Sequence, residues 1–178
     1  MSIEYICCKT AEIIKKYDES DPFRLAKAMK CLVLNEPMGS SETSCKGFFI
    51  RKNRINTIVL NSDLPLDIRR IVLAHEIGHV VLHRKSVNMC RFHEHSLYDN
   101  TSMYEYEANI FASELLLDDD EVTSKLGEDS FFFGVAKELQ VPPEMLDFKF
   151  RILKSKGKID ISSPINSRGD YLKRLKME

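Results

Sequence analysis

The 178-residue sequence has no C-x-x-C pair, no long apolar run, no internal repeat and almost no net charge. Its five cysteines are odd in number and scattered, which argues against a disulfide framework and against a cysteine-rich zinc knuckle. A membrane helix needs about 18 consecutive apolar residues, and no run approaches that length. The first residues also lack the basic and apolar regions of a secretory signal peptide. We therefore expect a soluble, cytoplasmic protein with reduced thiols.

The hydrophobic content of 43% is enough to bury one ordinary core. We expect one compact domain with a small appended lobe. The formal net charge of -1 conceals an uneven distribution, because acids dominate from Glu94 to Asp129 whereas Lys and Arg dominate from Phe148 to Glu178. Solvated surfaces are the ordinary explanation of such runs. Contact of the basic tail with an acidic partner or a nucleic acid is the alternative.

Apolar spacing and turn residues predict two helices and a hairpin in the N-terminal half. Apolar residues from Ile3 to Ile14 recur at helical spacing, and Asp21 before a proline is typical of the start of a second helix. Two runs rich in β-forming residues, Gly47–Arg51 and Ile55–Leu60, flank a polar turn at 52–54. That pattern predicts a β-hairpin.

The rest of the chain is predicted to be mainly helical. A helix runs from about Pro65 to His83, a long loop follows from Arg84 to Thr101, and helical spacing resumes at Met103. The acidic run 118–120 can cap a short helix that begins near Glu121. Two further helices are broken at 141–143, and the polar end of the chain is expected to be loosely held.

The stretch RRIVLAHEIGHVVLH places ionisable residues inside an otherwise apolar helix, where burial is costly unless they are paired or bound to a metal. His75 and His79 are four residues apart, so they share one helix face and can bind one ion at about 2 Å. Glu76 lies about 100° round the helix, beside that ion. A carboxylate there can accept a proton from a water activated by the metal and pass it to the leaving amine. This H-E-x-x-H pattern predicts one Zn²⁺ ion with Glu76 as the catalytic base.

A catalytic zinc ion commonly has a third protein ligand. His83 lies about 12 Å beyond the first histidine along the helix axis, so a core or capping role suits it better. The metzincin pattern is excluded because Leu82 and Lys85 occupy the positions where it needs Gly and His. His93 and His95 in the long loop are possible ligands, and a carboxylate from the acidic helix EYEANIFASELL is the better source.

Four polar residues near this region are candidates for polarising the carbonyl of a substrate: His93, His95, Tyr98 and Tyr104. Solvent exposure or packing within the loop is the alternative for each of them.

Three segments together resemble the ImmA/IrrE-type metallopeptidases. KGFFIRKNRINTIVLNSDL is similar to the family's strand pair, IVLAHEIGHVVLH to its active-site helix, and EYEANIFASELLL to its third-ligand helix. The chain departs from the family where a Leu-Leu pair often continues into Met-Pro, because Leu117 and Asp118 stand there instead. This departure concerns the end of the helix and leaves the ligand assignment intact.

The resemblance implies an α+β fold, with a mainly helical zincin-like (gluzincin-type) domain and a small β-sheet over residues 1–126. Residues 127–178 would form a small C-terminal helical region with a polar tail. The region is similar to a helix-turn-helix, but no base-reading side chains are identifiable, so packing or partner contact is favoured over direct DNA binding.

The implied activity is that of an intracellular zinc-dependent endopeptidase, often encoded in phages or mobile elements. Such enzymes cleave a helix-turn-helix repressor and so relieve repression of mobile-element or stress genes. The alternative is a non-catalytic metal-binding interaction module of a regulatory or toxin-antitoxin pair. Glu76 argues against this alternative, because a structural metal site needs no base.

Of two neighbouring acids, helical geometry favours Glu105 as the third ligand. At 100° per residue, Glu105 shares a face with Asn109 beside the apolar stripe, whereas Glu107 is expected to point away. In glutamate zincins a polar residue four positions after the ligand orients a metal-binding histidine, and Asn109 stands there. Glu107 as the ligand, or a capping box formed by Ser102 and Glu105, are the alternatives.

Overall fold

Two helices open the computed structural model, which describes residues 1–83, 100–126 and 131–174. Helix α1 (Ile3–Tyr17) begins after Ser2, and helix α2 (Pro22–Ala28) begins after Asp21. The Asp21 carboxylate accepts hydrogen bonds from two backbone N–H groups at the start of α2, as expected of a residue that caps a helix. Both predicted helices are confirmed.

A three-stranded sheet follows, formed by β1 (Leu32–Glu36), β2 (Gly47–Lys52) and β3 (Ile55–Asn61). The strand order is β1-β3-β2, with β3 antiparallel to β2 and parallel to β1. Asn53 and Arg54 connect β2 and β3 with φ angles of 50° and 66°, the left-handed conformations that a tight hairpin turn requires. The predicted hairpin is confirmed, and β3 is the central strand.

Strand β1 was not predicted from the sequence. Its residues are mostly exposed, including Leu32 and Leu34, so the strand lacks an alternation of buried and exposed side chains. Its register pairs Val33 with Ile58 of β3. This strand is therefore defined by backbone pairing across the sheet more than by a local sequence pattern.

Helix α3 (Leu66–Leu82) lies in the centre of the core. It packs against α4 (Asn100–Leu116) on one side and against β2 and β3 on another. The predicted helix from Pro65 to His83 is confirmed, with these two residues flanking it as caps. Burial of most of its surface explains why the sequence is apolar nearly all round.

The C-terminal elements are α5 (Asp119–Lys125), α6 (Phe132–Glu138), α7 (Pro143–Ser155) and a 3-10 turn (Tyr171–Arg174). Asp118 caps α5, which begins two residues before the predicted start. The predicted break between the last two helices is confirmed, because α7 begins at the second proline.

The polar tail is not loosely held over its described part, so that prediction is wrong. Tyr171 and Leu172 are each 6% exposed, and the Tyr171 ring packs against Phe148 of α7 at 5.6 Å between centroids. Arg151 donates hydrogen bonds to Asn166 and to the backbone carbonyl of Ser167. Two apolar anchors and a few hydrogen bonds therefore hold a segment whose composition is mostly polar.

Within the described ranges, residues of the acidic and basic segments form ion pairs with one another. The buried Lys149 ammonium of α7 lies 2.8 Å from Glu114 and 2.5 Å from Asp119, which belong to the acidic segment. Lys156 contacts the same two carboxylates, and Lys158 lies 3.0 Å from Asp119. Burial alone would raise the pKa of Asp119, but these three ammonium groups outweigh it and hold that pKa well below its usual range.

The fold is α+β, mainly helical with a small sheet, as the sequence predicted. One hydrophobic core continues across residue 126, and the division into 1–126 and 127–178 remains a prediction. The cysteines of the described ranges carry thiols, not disulfides. Within those ranges, no helix combines the length and the apolar character that crossing a membrane would need.

Candidate metal centre

Helix α3 places two imidazoles side by side in the interior. His75 and His79 lie one turn apart, and their Nε2 atoms are 3.1 Å from each other. His75 is 4% exposed, and Glu76 beside it is 7% exposed. The H-E-x-x-H spacing therefore directs two nitrogen atoms to one point, with a carboxylate on the adjoining face of the helix.

Glu105 of α4 meets the two histidines. Its Oε2 atom lies 3.2 Å from Nε2 of His75, and its Oε1 atom lies 3.7 Å from Nε2 of His79. In the described ranges, these three side chains are the group that could hold a metal ion, with ligand atoms all within 4.8 Å of one another. Two imidazole nitrogens and a carboxylate oxygen are a donor set suited to zinc, so the residues fit the predicted ion.

The close approach of α3 to α4 depends on Gly78. A Cβ atom added at this position would lie 3.1 Å from the Cα of Ala108 and 3.2 Å from its carbonyl oxygen. Both are backbone atoms, which cannot move aside as the end of a flexible side chain can. The absence of a side chain at Gly78 therefore lets α4 bring Glu105 within reach of the histidines.

Asn109 lies where the sequence predicted a partner for a metal-binding histidine. Its Oδ1 atom is 2.7 Å from Nδ1 of His75, and its Nδ2 group donates a hydrogen bond of 2.6 Å to the carbonyl of Gly169. Because the amide oxygen can only accept, the His75 Nδ1 atom must carry the proton, which leaves Nε2 free to bind a metal. The same amide therefore links His75 to the C-terminal tail.

His79 has a partner that the sequence analysis missed. Its Nδ1 atom lies 3.0 Å from Nδ1 of His83, and Nε2 of His83 lies 2.8 Å from Oε2 of Glu107. The other oxygen of Glu107 accepts a hydrogen bond from the charged amino group of Met1. The expectation that Glu107 points away from the core is wrong, because its side chain is 2% exposed. The sequence contained a signal for this contact, because His83 follows His79 by four residues, just as His79 follows His75, and residues four apart share one helix face.

Burial and nearby carboxylates act on the imidazoles in opposite directions. Burial opposes the charged form of His75, but the hydrogen bond and charge of Glu105 outweigh it, so the pKa of His75 lies above its ordinary value. Burial is the larger influence at His83, and it lowers the pKa of His83 even though Glu107 acts to raise it. Burial thus favours the neutral form of the His83 ring, in which one nitrogen keeps a lone pair.

Four residues were predicted as candidates for polarising a substrate carbonyl. Three of them, His93, His95 and Tyr98, lie outside the described residues. Tyr104 packs its ring against His83 at 4.6 Å between centroids, and its action on a substrate carbonyl remains a prediction. Helix α4 begins at Asn100, so residue 102 lies within the first turn and the capping-box alternative for Glu105 is wrong.

Comparison with known proteins agrees with this geometry. A family model described as the IrrE N-terminal-like domain of peptidase family M78 matches residues 26–151. The chain is 34% identical over 137 residues to "Uncharacterized immunity region protein 2" of Bacillus phage phi105, covering 77% of this chain and 84% of that protein. It is 24% identical over 151 residues to "Metallopeptidase ImmA" of Bacillus subtilis (strain 168), covering 79% and 81%. This chain therefore belongs to the M78 family of ImmA/IrrE-type metallopeptidases, whose activity implies a bound metal.

Proposed function

We propose that this chain is a zinc-dependent endopeptidase that cleaves one specific cytoplasmic protein, with a helix-turn-helix repressor as the substrate class. The observation that carries the proposal is the convergence of His75, His79 and Glu105 beside the buried Glu76. The three converging residues would hold the ion. A structural site would be satisfied by its ligands alone, whereas this site adds a carboxylate on the adjoining face of the helix.

When bound, zinc supplies Lewis-acid chemistry, which stabilises negative charge on the scissile carbonyl and makes water a stronger nucleophile. Glu76 accepts a proton from the attacking water and delivers it to the nitrogen of the leaving amine. Its burial keeps the proton from bulk solvent between these two transfers. Asn109 holds the His75 ring so that Nε2 stays directed at the site.

An extended peptide could bind along β2. Among the described strands, β2 lies at an edge of the sheet, and its first residue, Gly47, packs closely on Val72 of α3, one turn before Glu76. Pairing of a substrate strand with an exposed edge supplies backbone hydrogen bonds without requiring a particular sequence. Specificity for one regulator would then come from side chains on either side of the scissile bond.

The repressor as substrate is supported by the relatives more than by the geometry. One relative carries the name of a phage immunity-region protein and another that of a metallopeptidase. A peptidase in an immunity region would relieve repression by cleaving the protein that maintains it. Pairing of Lys149, Lys156 and Lys158 with carboxylates of the same chain leaves less positive charge for binding DNA directly.

The test compares the wild-type chain with Glu76→Gln, using a purified helix-turn-helix repressor encoded beside the gene. We expect cleavage at a defined bond by the wild-type protein, seen by mass spectrometry, and a loss of about 100-fold or more in the variant. Zinc content should be equal in both proteins, because glutamine preserves size and the three ligands.

The rival proposal is a metal-binding interaction module that inactivates its partner by binding alone. It predicts that Glu76→Gln inactivates the repressor as fast as the wild-type chain does. That result, with an intact repressor recovered afterwards, would exclude the endopeptidase. Cleavage of other proteins but never of the repressor would instead overturn only the substrate class.

A further inference from the structure

Three side chains form a row behind the metal centre: His79, His83 and Glu107. With an ion at Nε2 of His79, this row has one consistent arrangement of protons. A neutral imidazole offers one N–H donor and one acceptor nitrogen. If Nε2 of His79 faces the ion, its Nδ1 atom carries the proton and donates it to Nδ1 of His83. Nε2 of His83 then carries its own proton and donates it to the Glu107 carboxylate, which can only accept. Each contact in the row then joins one donor and one acceptor. If His83 instead donated from Nδ1 to His79, its unprotonated Nε2 atom would face the Glu107 carboxylate, and both groups are acceptors.

Burial makes this arrangement costly to lose. The side chains of His83 and Glu107 are each 2% exposed, so water does not readily replace a missing partner. An unpaired buried carboxylate is far more unfavourable than a buried hydrogen-bonded one. The hydrogen bonds of the row therefore run in one direction, from the His79 ring on α3 to the Glu107 carboxylate on α4.

We propose that His83 and Glu107 are positioning residues that hold the His79 ring in the tautomer and orientation that bind the metal. This inference rests on the proposed metal site and extends it to two residues that touch neither the ion nor the substrate. It also gives the two histidine ligands equivalent support, since Asn109 does for His75 what His83 does for His79. Partners of this kind typically change metal affinity by about 10- to 100-fold when they are removed.

The experiment measures zinc affinity of the full chain by competition with a chromophoric chelator. His83→Phe keeps an aromatic ring against Tyr104 but removes both nitrogens, and we expect its zinc affinity to fall by about 10- to 100-fold. His83→Gln retains one acceptor and one donor, so it should recover part of that loss. Glu107→Gln keeps an acceptor oxygen but removes the charge, and its loss should be smaller than that of His83→Phe.

The matched control is Ser113→Ala. Ser113 is also buried in α4, but its hydroxyl donates to the carbonyl of Met145 on α7, away from the histidines. It should lower the melting temperature of the metal-free protein without changing zinc affinity. If His83 had a purely structural role, His83→Phe would likewise lower the melting temperature and leave zinc affinity unchanged. Wild-type zinc affinity in both His83→Phe and Glu107→Gln would overturn the proposal.

A second measurement covers the case in which His83→Phe does not fold. Ring ¹⁵N chemical shifts of the zinc-loaded wild-type protein report which nitrogen of His83 carries the proton. Protonation at Nε2 supports the proposal, and protonation at Nδ1 overturns it. If the wild-type chain binds no zinc, the proposed function itself fails. If the wild-type chain binds zinc but the His83 variants bind it equally well, only the role given to His83 and Glu107 fails.

Discussion

Glu105 and Glu107 are two residues apart on α4 and have different partners. Glu105 reaches both histidine Nε2 atoms, whereas Glu107 reaches His83. Two positions on one helix place their side chains about 200° apart around its axis. One turn of α4 therefore contributes a carboxylate to the metal centre and another to the row of His79, His83 and Glu107. A carboxylate is therefore useful at both positions for different reasons.

We expect Glu105→Gln to lose more zinc affinity than Glu107→Gln. The first change replaces an anionic ligand by a neutral amide oxygen, whereas the second removes charge from a group whose contact with the metal centre runs through His83. The loss in Glu105→Gln should exceed the roughly 10- to 100-fold that removal of an outer partner costs. Chelator competition measures both, and a larger loss in Glu107→Gln would show that the ligand has been assigned to the wrong acid.

Contacts between elements position the site as much as its own residues do. Helices α3 and α4 meet at Gly78, and the tail meets α4 at Asn109. A glycine in the middle of a helix ordinarily costs stability, so its presence here is explained by the closeness of the neighbouring backbone.

We expect Gly78→Ala to destabilise the chain by about 1–2 kcal/mol and to weaken zinc binding. Overpacking against Ala108 should outweigh the gain in helix propensity, and the separation of α3 from α4 should move Glu105 away from the histidines. Urea denaturation of the metal-free protein and chelator competition measure the two effects.

Gly134 of α6 provides the control, because an added Cβ there would meet nothing within 4 Å. Gly134→Ala should stabilise the chain by about 0.5–1 kcal/mol with unchanged zinc affinity. Equal effects of the two substitutions would contradict the role given to Gly78.

We expect Asn109→Asp to weaken the contact of the C-terminal tail with α4. The aspartate still offers an oxygen to His75, but its other oxygen replaces the N–H group that donates to Gly169. Repulsion between this carboxylate and the carbonyl should release the tail, which limited proteolysis would detect as faster cleavage after residue 156. Asn109→Ala should release the tail too and also lower zinc affinity. Unchanged protection of the tail in both variants would contradict the link.

In the part of the chain that the structure describes, opposite charges from distant segments pair with one another. Asp119 lies at the start of α5 and receives ammonium groups from α7 and from the residues after it. Its carboxylate is 16% exposed and the Lys149 ammonium is 1% exposed, so solvent screens their pairing less than it would at the surface.

The folded-state pKa of Asp119 lies below the ordinary value of 3.8, so its ionised form stabilises the fold at neutral pH. This stabilisation is fully present above about pH 4 and is lost as pH falls toward the folded-state pKa. We expect Asp119→Asn to lower the free energy of unfolding by roughly 2 kcal/mol at pH 7 and by less at pH 3. Urea denaturation at fixed ionic strength measures both values.

Asp120→Asn is the matched control, since Asp120 is also in the first turn of α5 but is 91% exposed and contacts Lys158 alone among the ion pairs described. It should leave stability nearly unchanged at both pH values. A loss as large as that of Asp119→Asn would show that helix-end charge, and not the buried pairing, is responsible.

The sequence by itself determined the elements whose signals are local. Helical spacing over Leu66–Leu82, the cap at Asp21 and the polar turn of the hairpin each depend on residues a few positions apart. The arrangement of His75, Glu76 and His79 is local as well, because one helical turn defines it. Helical geometry also placed Glu105 on the correct side of α4, although its role as a ligand remains a proposal.

Only the tertiary structure decided what lies between distant segments. The contact of His83 with Glu107 spans 24 residues, and that of Asn109 with Gly169 spans 60. β1 is paired to a strand more than 20 residues away, and Lys149, Lys156 and Lys158 pair with carboxylates of α4 and α5. Such pairings depend on how helices and strands pack together. A residue such as Glu107 therefore looks surface-directed on an isolated helix, and it becomes buried only when α3 brings His83 against it.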